Sequence, residues 1–193
     1  EPMPRPSAKL QQSVRLVPFE ASVPQDLQVH ATVVWSGSGQ LNLSYGLLSR
    51  TGLGDLVLPR GLIDGLQPNG VRRDGLWETT CFEAFLGLPG DQRYWEINLA
   101  ANGDWALYGF SDYRNGRTDP SQAIPPQVQL RRWHHQLRLE ASIDLSAVWP
   151  PKVSPDIALT AVLDRGDNGL SHWAISHPSD RADFHQRQAF LSN

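Results

Sequence analysis

Cysteine is almost absent from this sequence of 193 residues, in which Cys81 is the only one. A single cysteine excludes an internal disulfide and leaves no framework for a thiolate-ligated metal. Its place in an alternating apolar run favours a buried small side chain over a reactive thiol. Without disulfides the default compartment is the cytosol, and a signal peptide removed earlier is the alternative that the sequence leaves open.

The sequence also lacks a strong charge bias and long hydrophobic runs. Seventeen basic residues against twenty acidic residues leave a net charge of −3, with no long block of either sign. This balance argues against nucleic acid and against a membrane surface as partners. No apolar run is long enough to span a bilayer.

Several chemical motifs are missing as well. The sequence contains no Gly-rich phosphate loop, no Cys-x-x-Cys pair, no Gly-x-Ser-x-Gly elbow and no His-Glu-x-x-His helix motif. Nucleotide chemistry and zinc-protease chemistry therefore have no support.

Turn-forming and aromatic residues are plentiful, with 16 Gly, 15 Pro and 7 Trp. Short alternating segments between turns predict an all-β antiparallel fold: a β-sandwich of immunoglobulin-like or jelly-roll form, with about ten short strands and long loops. The clearest hairpin joins 28–35 to 41–45 through a turn at 37–39. We expect a flexible N-terminal arm over 1–13 and a single domain over 14–193.

The segment 74–110 carries the functional prediction. It contains three strand-like runs, 81–86, 94–99 and 105–110, and the last two flank Asn102-Gly103, which favours a two-residue hairpin turn. With that turn, alternation predicts one face that combines carboxylates, an amide and aromatic rings. The members of this face are Glu83, Tyr94, Glu96, Asn98 and Trp105.

Acceptors mixed with aromatic rings are typical of a ligand floor, whereas a solvated face favours Lys, Thr and Ser. An aromatic-rich second layer of the core is the alternative. Carboxylates and an amide bond hydroxyl groups, and a Trp ring stacks on the C–H face of a pyranose, so a small carbohydrate suits this face. We expect the long loops 59–75 and 111–126 to form its rim.

The carboxylate pair Glu83 and Glu96 would also suit a glycoside hydrolase. No closely spaced carboxylate triplet accompanies the pair on one strand, which favours binding without catalysis. We therefore predict no catalytic residue.

Histidines and acidic turns are weaker candidates for cofactor or metal sites. His172 and His177 are five residues apart, which places them on opposite faces of a strand, so structural hydrogen bonding is favoured over ligation. Because Met3 is the only methionine, a Met–His haem site is unsupported, and bis-histidine haem binding is a less favoured alternative.

Two oxygen-rich turns would suit structural calcium, although neither has EF-hand spacing: Asp112, Asn115 and Asp119, then Asp164, Asp167 and Asn168. We predict no cofactor and no metal ligand.

Three segments together resemble a known family: LWETTCFEAFL (76–86), YWEINLAANGDWALYGFSDYRNG (94–116) and SHWAISHPSDRADFH (171–185). They are similar to DOMON-like proteins, and more narrowly to a branch related to carbohydrate-binding module family nine. This resemblance implies a β-sandwich whose relatives bind sugars, or haem in other branches. In the sugar-binding relatives two tryptophans clamp a terminal sugar. By motif position, the resemblance implies that Trp77 is the first clamp residue, Glu83 its acidic partner and Trp173 the second clamp.

The prediction from the sequence is thus a non-catalytic module that binds a small carbohydrate or a related ligand. A glycoside hydrolase, a haem-binding module and a protein-interaction module are the alternatives. The sequence predicts no oligomeric state.

Overall fold

The computed structural model describes residues 10–120 and 122–192, which contain eleven strands and three short 3-10 helices. The strands are β1 (Leu10–Pro18), β2 (Gln28–Trp35), β3 (Gln40–Leu48), β4 (Gly65–Leu66), β5 (Cys81–Gly87), β6 (Tyr94–Leu99), β7 (Trp105–Phe110), β8 (Gln127–Arg132), β9 (Gln136–Asp144), β10 (Asp156–Asp164) and β11 (Leu170–Ala174). The helices are Leu76–Glu78, Gly166–Asn168 and Arg187–Ala189. No helix in the described ranges is long and apolar enough to cross a membrane.

All eleven strands belong to one antiparallel sheet, which curls into a half-barrel in the order β4-β8-β9-β3-β2-β1-β11-β10-β5-β6-β7. β1 joins two halves: its earlier residues pair with β2, and Val17 and Pro18 pair with β11. We call β4, β8, β9, β3 and β2 the first half, and β11, β10, β5, β6 and β7 the second half. The predicted all-β antiparallel class is confirmed.

The main core lies inside the curl, where the two halves face each other. Alternation along the strands turns every second side chain inward. Tyr45 from β3 packs against Phe82 from β5, with ring centroids 5.2 Å apart. Trp149 packs edge-on against Trp35 of the first half and Trp95 of the second, at 5.6 and 5.2 Å. Burial of these rings and of the aliphatic side chains around them stabilises the curl.

The second half is also covered on its outer face, the face turned away from the main core. Every residue of β5 and of β7 is buried. The C-terminal segment crosses this face, with the Phe190 ring 5.9 Å from the Phe85 ring and a bridge between Ile157 and Leu191. A second layer of buried residues forms there, and the space that it leaves open is the site described below.

The hairpin of β6 and β7 has the predicted bounds but not the predicted pairing. Leu99 pairs with Trp105, whereas the two-residue turn required Ala106. A shift of one residue reverses the faces of a strand. Trp105 therefore enters the main core, and Tyr108 takes the outer face of β7 beside Glu96.

The cause of this shift is the longer connection at 100–104. The Ala100 amide donates to the Asp104 carbonyl at 2.8 Å, and the Asp104 amide donates to Asn102 Oδ1 at 3.0 Å. The Asp104 carboxylate in turn accepts from the Val71 amide at 2.9 Å and pairs with Arg73 at 3.2 Å. Contacts with a distant loop thus stabilise a wider turn than the Asn-Gly dipeptide predicts.

The predicted N-terminal arm over 1–13 overlaps the first strand. Residues 10–13 belong to β1, and residues 1–9 lie outside the described residues.

Candidate functional site

A cavity of about 490 Å³ opens on the outer face of the second half. Its floor consists of outward side chains of the sheet: Glu83, Phe85, Glu96, Tyr108, Phe110 and Val162. Its walls come from the first 3-10 helix, the loop after β7, β11 and the C-terminal segment, which supply Trp77, Arg114, Arg117, His172, Phe184 and His185.

Two carboxyl groups, those of Glu83 and Glu96, share the floor. The two residues are only 2% and 6% exposed. Glu83 Oε2 accepts from the Thr160 hydroxyl at 3.1 Å. The hydrogen-bond network orients the Asn98 amide nitrogen toward both carboxyls, where it donates to Glu83 Oε1 at 3.1 Å and to Glu96 Oε1 at 3.2 Å. One buried amide therefore bridges the pair.

Burial raises the pKa of both carboxyl groups. It raises the pKa of Glu96 to about 7, against the opposing effects of the Asn98 hydrogen bond and of the charges on Arg114 and Arg117. The pKa of Glu83 is raised well above its usual value, first by burial and then by the neighbouring Glu96. Like charges this close disfavour joint ionisation. Burial and this repulsion therefore both favour the protonated forms over joint ionisation of the pair.

His185 stands beside Glu96 as a neutral imidazole. Its Nδ1 lies 2.7 Å from the Tyr94 hydroxyl, and that oxygen accepts from the Arg114 amide at 3.0 Å. The hydroxyl is thus free to donate to Nδ1, which places the imidazole hydrogen on Nε2, 3.7 Å from Glu96 Oε2. Burial first, and the charge of Arg114 second, lower the pKa of His185 to about 4. The ring packs edge-on against Phe85 at 5.1 Å.

Asp183 links two walls of the cavity, the loop after β7 and the C-terminal segment. Its carboxylate pairs with Arg114 at 2.7 Å and accepts a short hydrogen bond from the Tyr113 hydroxyl. It also accepts from the His185 amide at 3.1 Å. Burial acts to raise the pKa of Asp183, but the hydrogen bonds from Tyr113 and Arg114 outweigh it and lower the pKa to about 2. The loop after β7 is therefore bound to the C-terminal segment.

Tyr108 and Trp77 form an aromatic corner at the mouth. The Tyr108 hydroxyl donates to Asp74 at 2.5 Å, and the Arg117 guanidinium lies over the Tyr108 ring, 4.8 Å from its centroid. Trp77 meets Tyr108 edge-on, with centroids 6.3 Å apart. Because Trp77 is 39% exposed, its ring is accessible to a molecule that enters from solvent.

Five of the seven residues predicted for the site lie on this face. Trp77, Glu83 and Glu96 line the cavity. Asn98 and Tyr94 are buried behind the lining: Asn98 bridges the carboxyls, and Tyr94 stacks on Phe110 at 4.8 Å while its hydroxyl contacts His185.

Trp105 and Trp173 instead lie in the main core, on the opposite face. Trp105 is there because of the altered register of the hairpin. Trp173 pairs with Ala161 and turns inward, where it is 1% exposed and donates to the Ser171 hydroxyl at 2.8 Å. Alternation in β11 then directs His172 toward the cavity. Neither tryptophan contacts the cavity.

Several residues of the cavity walls are not among the seven site residues predicted from the sequence. The rim loop predicted at 111–126 does supply Arg114 and Arg117, although Ser121 within it lies outside the described residues. The loop at 59–75 contributes Asp74, which holds Tyr108 and does not line the cavity. The sequence gives one indication that the C-terminal segment contributes to the site: acidic, aromatic and histidine residues follow one another at 183–185.

The turns considered for calcium have other partners. Asp119 pairs with Arg72 at 3.2 Å, and Asp112 accepts from the Tyr113 amide at 2.6 Å. Asp164 accepts from the Thr79 hydroxyl at 2.8 Å. Within 10–120 and 122–192, no three His, Cys, Asp or Glu side chains are grouped to hold a metal ion.

Comparison with known proteins yields a structural relative. No family model matches the sequence, and no curated protein matches it. A crystal structure of a "putative carbohydrate-binding protein" from Bacteroides uniformis is similar, with a TM-score of 0.60 and 18% sequence identity. The match covers 93% of this chain and 84% of that chain. At this identity, the likeness shows the shared fold alone.

Proposed function

We propose that this protein is a non-catalytic binding module for a small carbohydrate or a related ligand, which occupies the cavity on the outer face of the second half. The observation that carries this proposal is the composition of the cavity, in which aromatic rings surround a small set of convergent polar groups. Such a composition is common in small-molecule sites, and the cavity of about 490 Å³ lies within their usual volumes of roughly 300–1,000 Å³.

A sugar matches the chemistry of this lining. The exposed face of Trp77 provides a surface for the C–H face of a pyranose. Glu96 Oε2 faces the cavity without a hydrogen bond from any described residue, so it has room for a hydroxyl donor. The Arg117 guanidinium, which forms no ion pair with the described residues, offers donors to hydroxyl oxygens.

The finer assignment belongs to the same proposal: a DOMON-like module related to carbohydrate-binding module family nine, with the two halves of the sheet as the two layers of a β-sandwich. The segments that resemble this family supply Trp77, Glu83 and Glu96 to the cavity. The name of the similar Bacteroides uniformis protein agrees with a carbohydrate ligand.

Glycoside hydrolysis is the second candidate, because two carboxyl groups with raised pKa values lie at one cavity. That chemistry requires both carboxyls at the scissile bond. Glu83 is 2% exposed, and both of its carboxyl oxygens already accept hydrogen bonds, from Thr160 and Asn98, whereas Glu96 Oε2 accepts none from a described residue. We therefore favour binding; turnover of aryl glycosides that is lost in Glu96→Gln would instead support hydrolysis.

The test is a glycan array followed by calorimetry on the purified protein and two variants. Trp77→Ala removes the exposed ring, and Trp133→Ala removes a ring that is 53% exposed and does not line the cavity. We expect Trp77→Ala to weaken binding about tenfold or more, and Trp133→Ala to leave it unchanged. Equal binding by wild type and Trp77→Ala would contradict this site.

A further inference from the structure

The carboxyl pair on the cavity floor lacks a cation of its own. Among the described residues, no Lys or Arg nitrogen lies within ion-pair distance of Glu83 or Glu96. The nearby base is His185 at 3.7 Å, and its pKa of about 4 keeps it neutral near neutral pH. Buried carboxylates ordinarily have a charged partner. In this pair burial raises the pKa of both carboxyl groups, which favours their protonated forms in place of a charged partner.

One oxygen of the pair is open to the cavity. The Glu96 side chain is only 8% exposed, yet it lines the cavity. Its Oε1 receives the Asn98 amide, while Oε2 receives no hydrogen bond from a described residue. A buried acceptor of this kind favours a strong donor from the ligand, and a charged donor most of all.

The rings around the floor suit the same kind of group. Phe85, Tyr108 and Phe110 line the cavity beside Glu96. The negative face of an aromatic ring attracts a cation, especially where water is excluded. Carboxyl groups that lie among aromatic rings in a cavity are therefore a favourable environment for an ammonium group.

The other charged and titratable groups at the cavity do not neutralise the pair. Arg114 is paired with Asp183 at 2.7 Å, and Arg117 lies over the Tyr108 ring, on an exposed part of the loop. His172 pairs with Glu20 at 2.6 Å. Cys81 is a buried thiol beneath the floor, 3.9 Å from Glu83 Oε1, and burial raises its pKa.

We propose that the ligand is a sugar that carries an ammonium group, and that Glu96 and Glu83 are its counter-ions. This inference rests on the proposed function, because it uses the same cavity, and it adds the chemical class of the ligand. The amine enters protonated and favours the ionised form of the pair. The proton that the pair held then passes to solvent, so one ammonium enters for one proton released.

Calorimetry with glucosamine, glucose and ethanolamine tests the proposal, in two buffers of different ionisation enthalpy slightly below the Glu96 pKa of about 7. We expect glucosamine to bind about tenfold more tightly than glucose, since charge-assisted hydrogen bonds are the stronger ones. A difference between buffers, which reports proton release, is expected for glucosamine and not for glucose. We expect ethanolamine to bind more weakly than glucosamine, because it lacks the ring that stacks on Trp77.

Glu96→Gln supplies the matched variant, since it keeps the shape of the side chain and removes its charge. We expect it to bring the affinities for glucosamine and glucose close together and to abolish proton release. Glu140→Gln, on exposed β9, is the control and should keep the preference. The Tm of each variant confirms that it is folded.

The outcomes separate this inference from the function on which it rests. Trp77-dependent binding of glucose without a preference for glucosamine overturns the inference and leaves the proposed function standing. Ethanolamine bound as tightly as glucosamine overturns the sugar part of the inference. Absence of binding to every sugar on the glycan array and to glucosamine overturns both proposals.

Discussion

The outer faces of the two halves of the sheet differ sharply, although both halves consist of paired antiparallel strands. On the first half, alternate residues of β3 and β9 are exposed or half-buried, as at Asn42, Ser44 and Glu140. A groove of about 300 Å³ there is lined, among the described residues, by polar and aliphatic side chains without an aromatic ring. On the second half, β5 and β7 are buried throughout, and carboxyls lie among rings.

The difference comes from segments outside the sheet. The loop after β7 and the C-terminal segment cover the second half, held together by Asp183. The described residues that line the groove on the first half all belong to strands of the sheet, and none comes from a covering segment. Side chains that would be solvated on an open sheet are thus taken out of water on the second half, at a cost in stability. Their position around a cavity, rather than in the main core, is what a binding site requires.

The largest expected effect tests the covered face itself. Phe85→Ala removes a ring that is fully buried on the outer face of β5, and we expect a loss of about 3–5 kcal/mol in the free energy of unfolding. Asn42→Ala on the outer face of β3 should change it by less than about 0.5 kcal/mol. Urea denaturation measures both variants. Similar losses would contradict the contrast between the two faces.

The carboxyl pair predicts an intermediate effect on the pH dependence of stability. Because the pKa of Glu96 is about 7 in the folded protein against 4.5 ordinarily, the folded state holds a proton that the unfolded state has released. Stability therefore falls as pH rises through this window, with Glu83 acting in the same direction. The pKa of His185 is lowered from 6.5 to about 4, so between these pH values its titration makes the folded protein more stable as pH rises. We therefore expect the decrease in stability to be visible above pH 6.5.

The slope is at most about 1.4 kcal/mol per pH unit for each proton. Urea denaturation from pH 6.5 upward measures it in wild type and in the double variant Glu83→Gln, Glu96→Gln. The double variant should be flatter, and a slope equal to that of wild type would show that the pair is not its source.

The smallest expected effect concerns the tie between the two walls. Asp183→Asn removes the charge that binds Arg114, and a loss of about 1 kcal/mol is expected because the Arg114 side chain is half exposed. Hydrogen exchange should become faster at 182–190. Asp144→Asn, which affects an exposed turn of the first half, is the control and should leave those amides unchanged. Unaltered hydrogen exchange in Asp183→Asn would mean that the ion pair between Asp183 and Arg114 does not stabilise the C-terminal segment.

Alternation within each strand was sufficient to predict the faces of many side chains in the second half of the sheet. It failed where contacts between residues distant in sequence determine how two strands pair. Alternation correctly separated Glu83 from Phe82 in β5 and placed Glu96 and Asn98 with Glu83. The face of β7 depends on how Asp104 contacts the loop at 71–73, and no pattern within the hairpin shows that contact.

The sequence was least informative about the walls. Trp173 stands where the family resemblance suggested a clamp, but strand parity directs His172 to the cavity in its place. His185 reaches Tyr94 across 91 positions of the chain, a contact that only the folded sheet creates. The side chains that strands contribute to the cavity floor are therefore easier to predict from the sequence than those that loops contribute to its walls.

Carbon-13 NMR of the glutamate carboxyl groups during titration with glucosamine tests most directly whether the covered face is the binding site. We expect the resonances of Glu83 and Glu96 to move as the ligand saturates the protein, while that of Glu140 on the first half stays in place. Saturable binding that leaves the Glu83 and Glu96 resonances unmoved would contradict binding at the covered face.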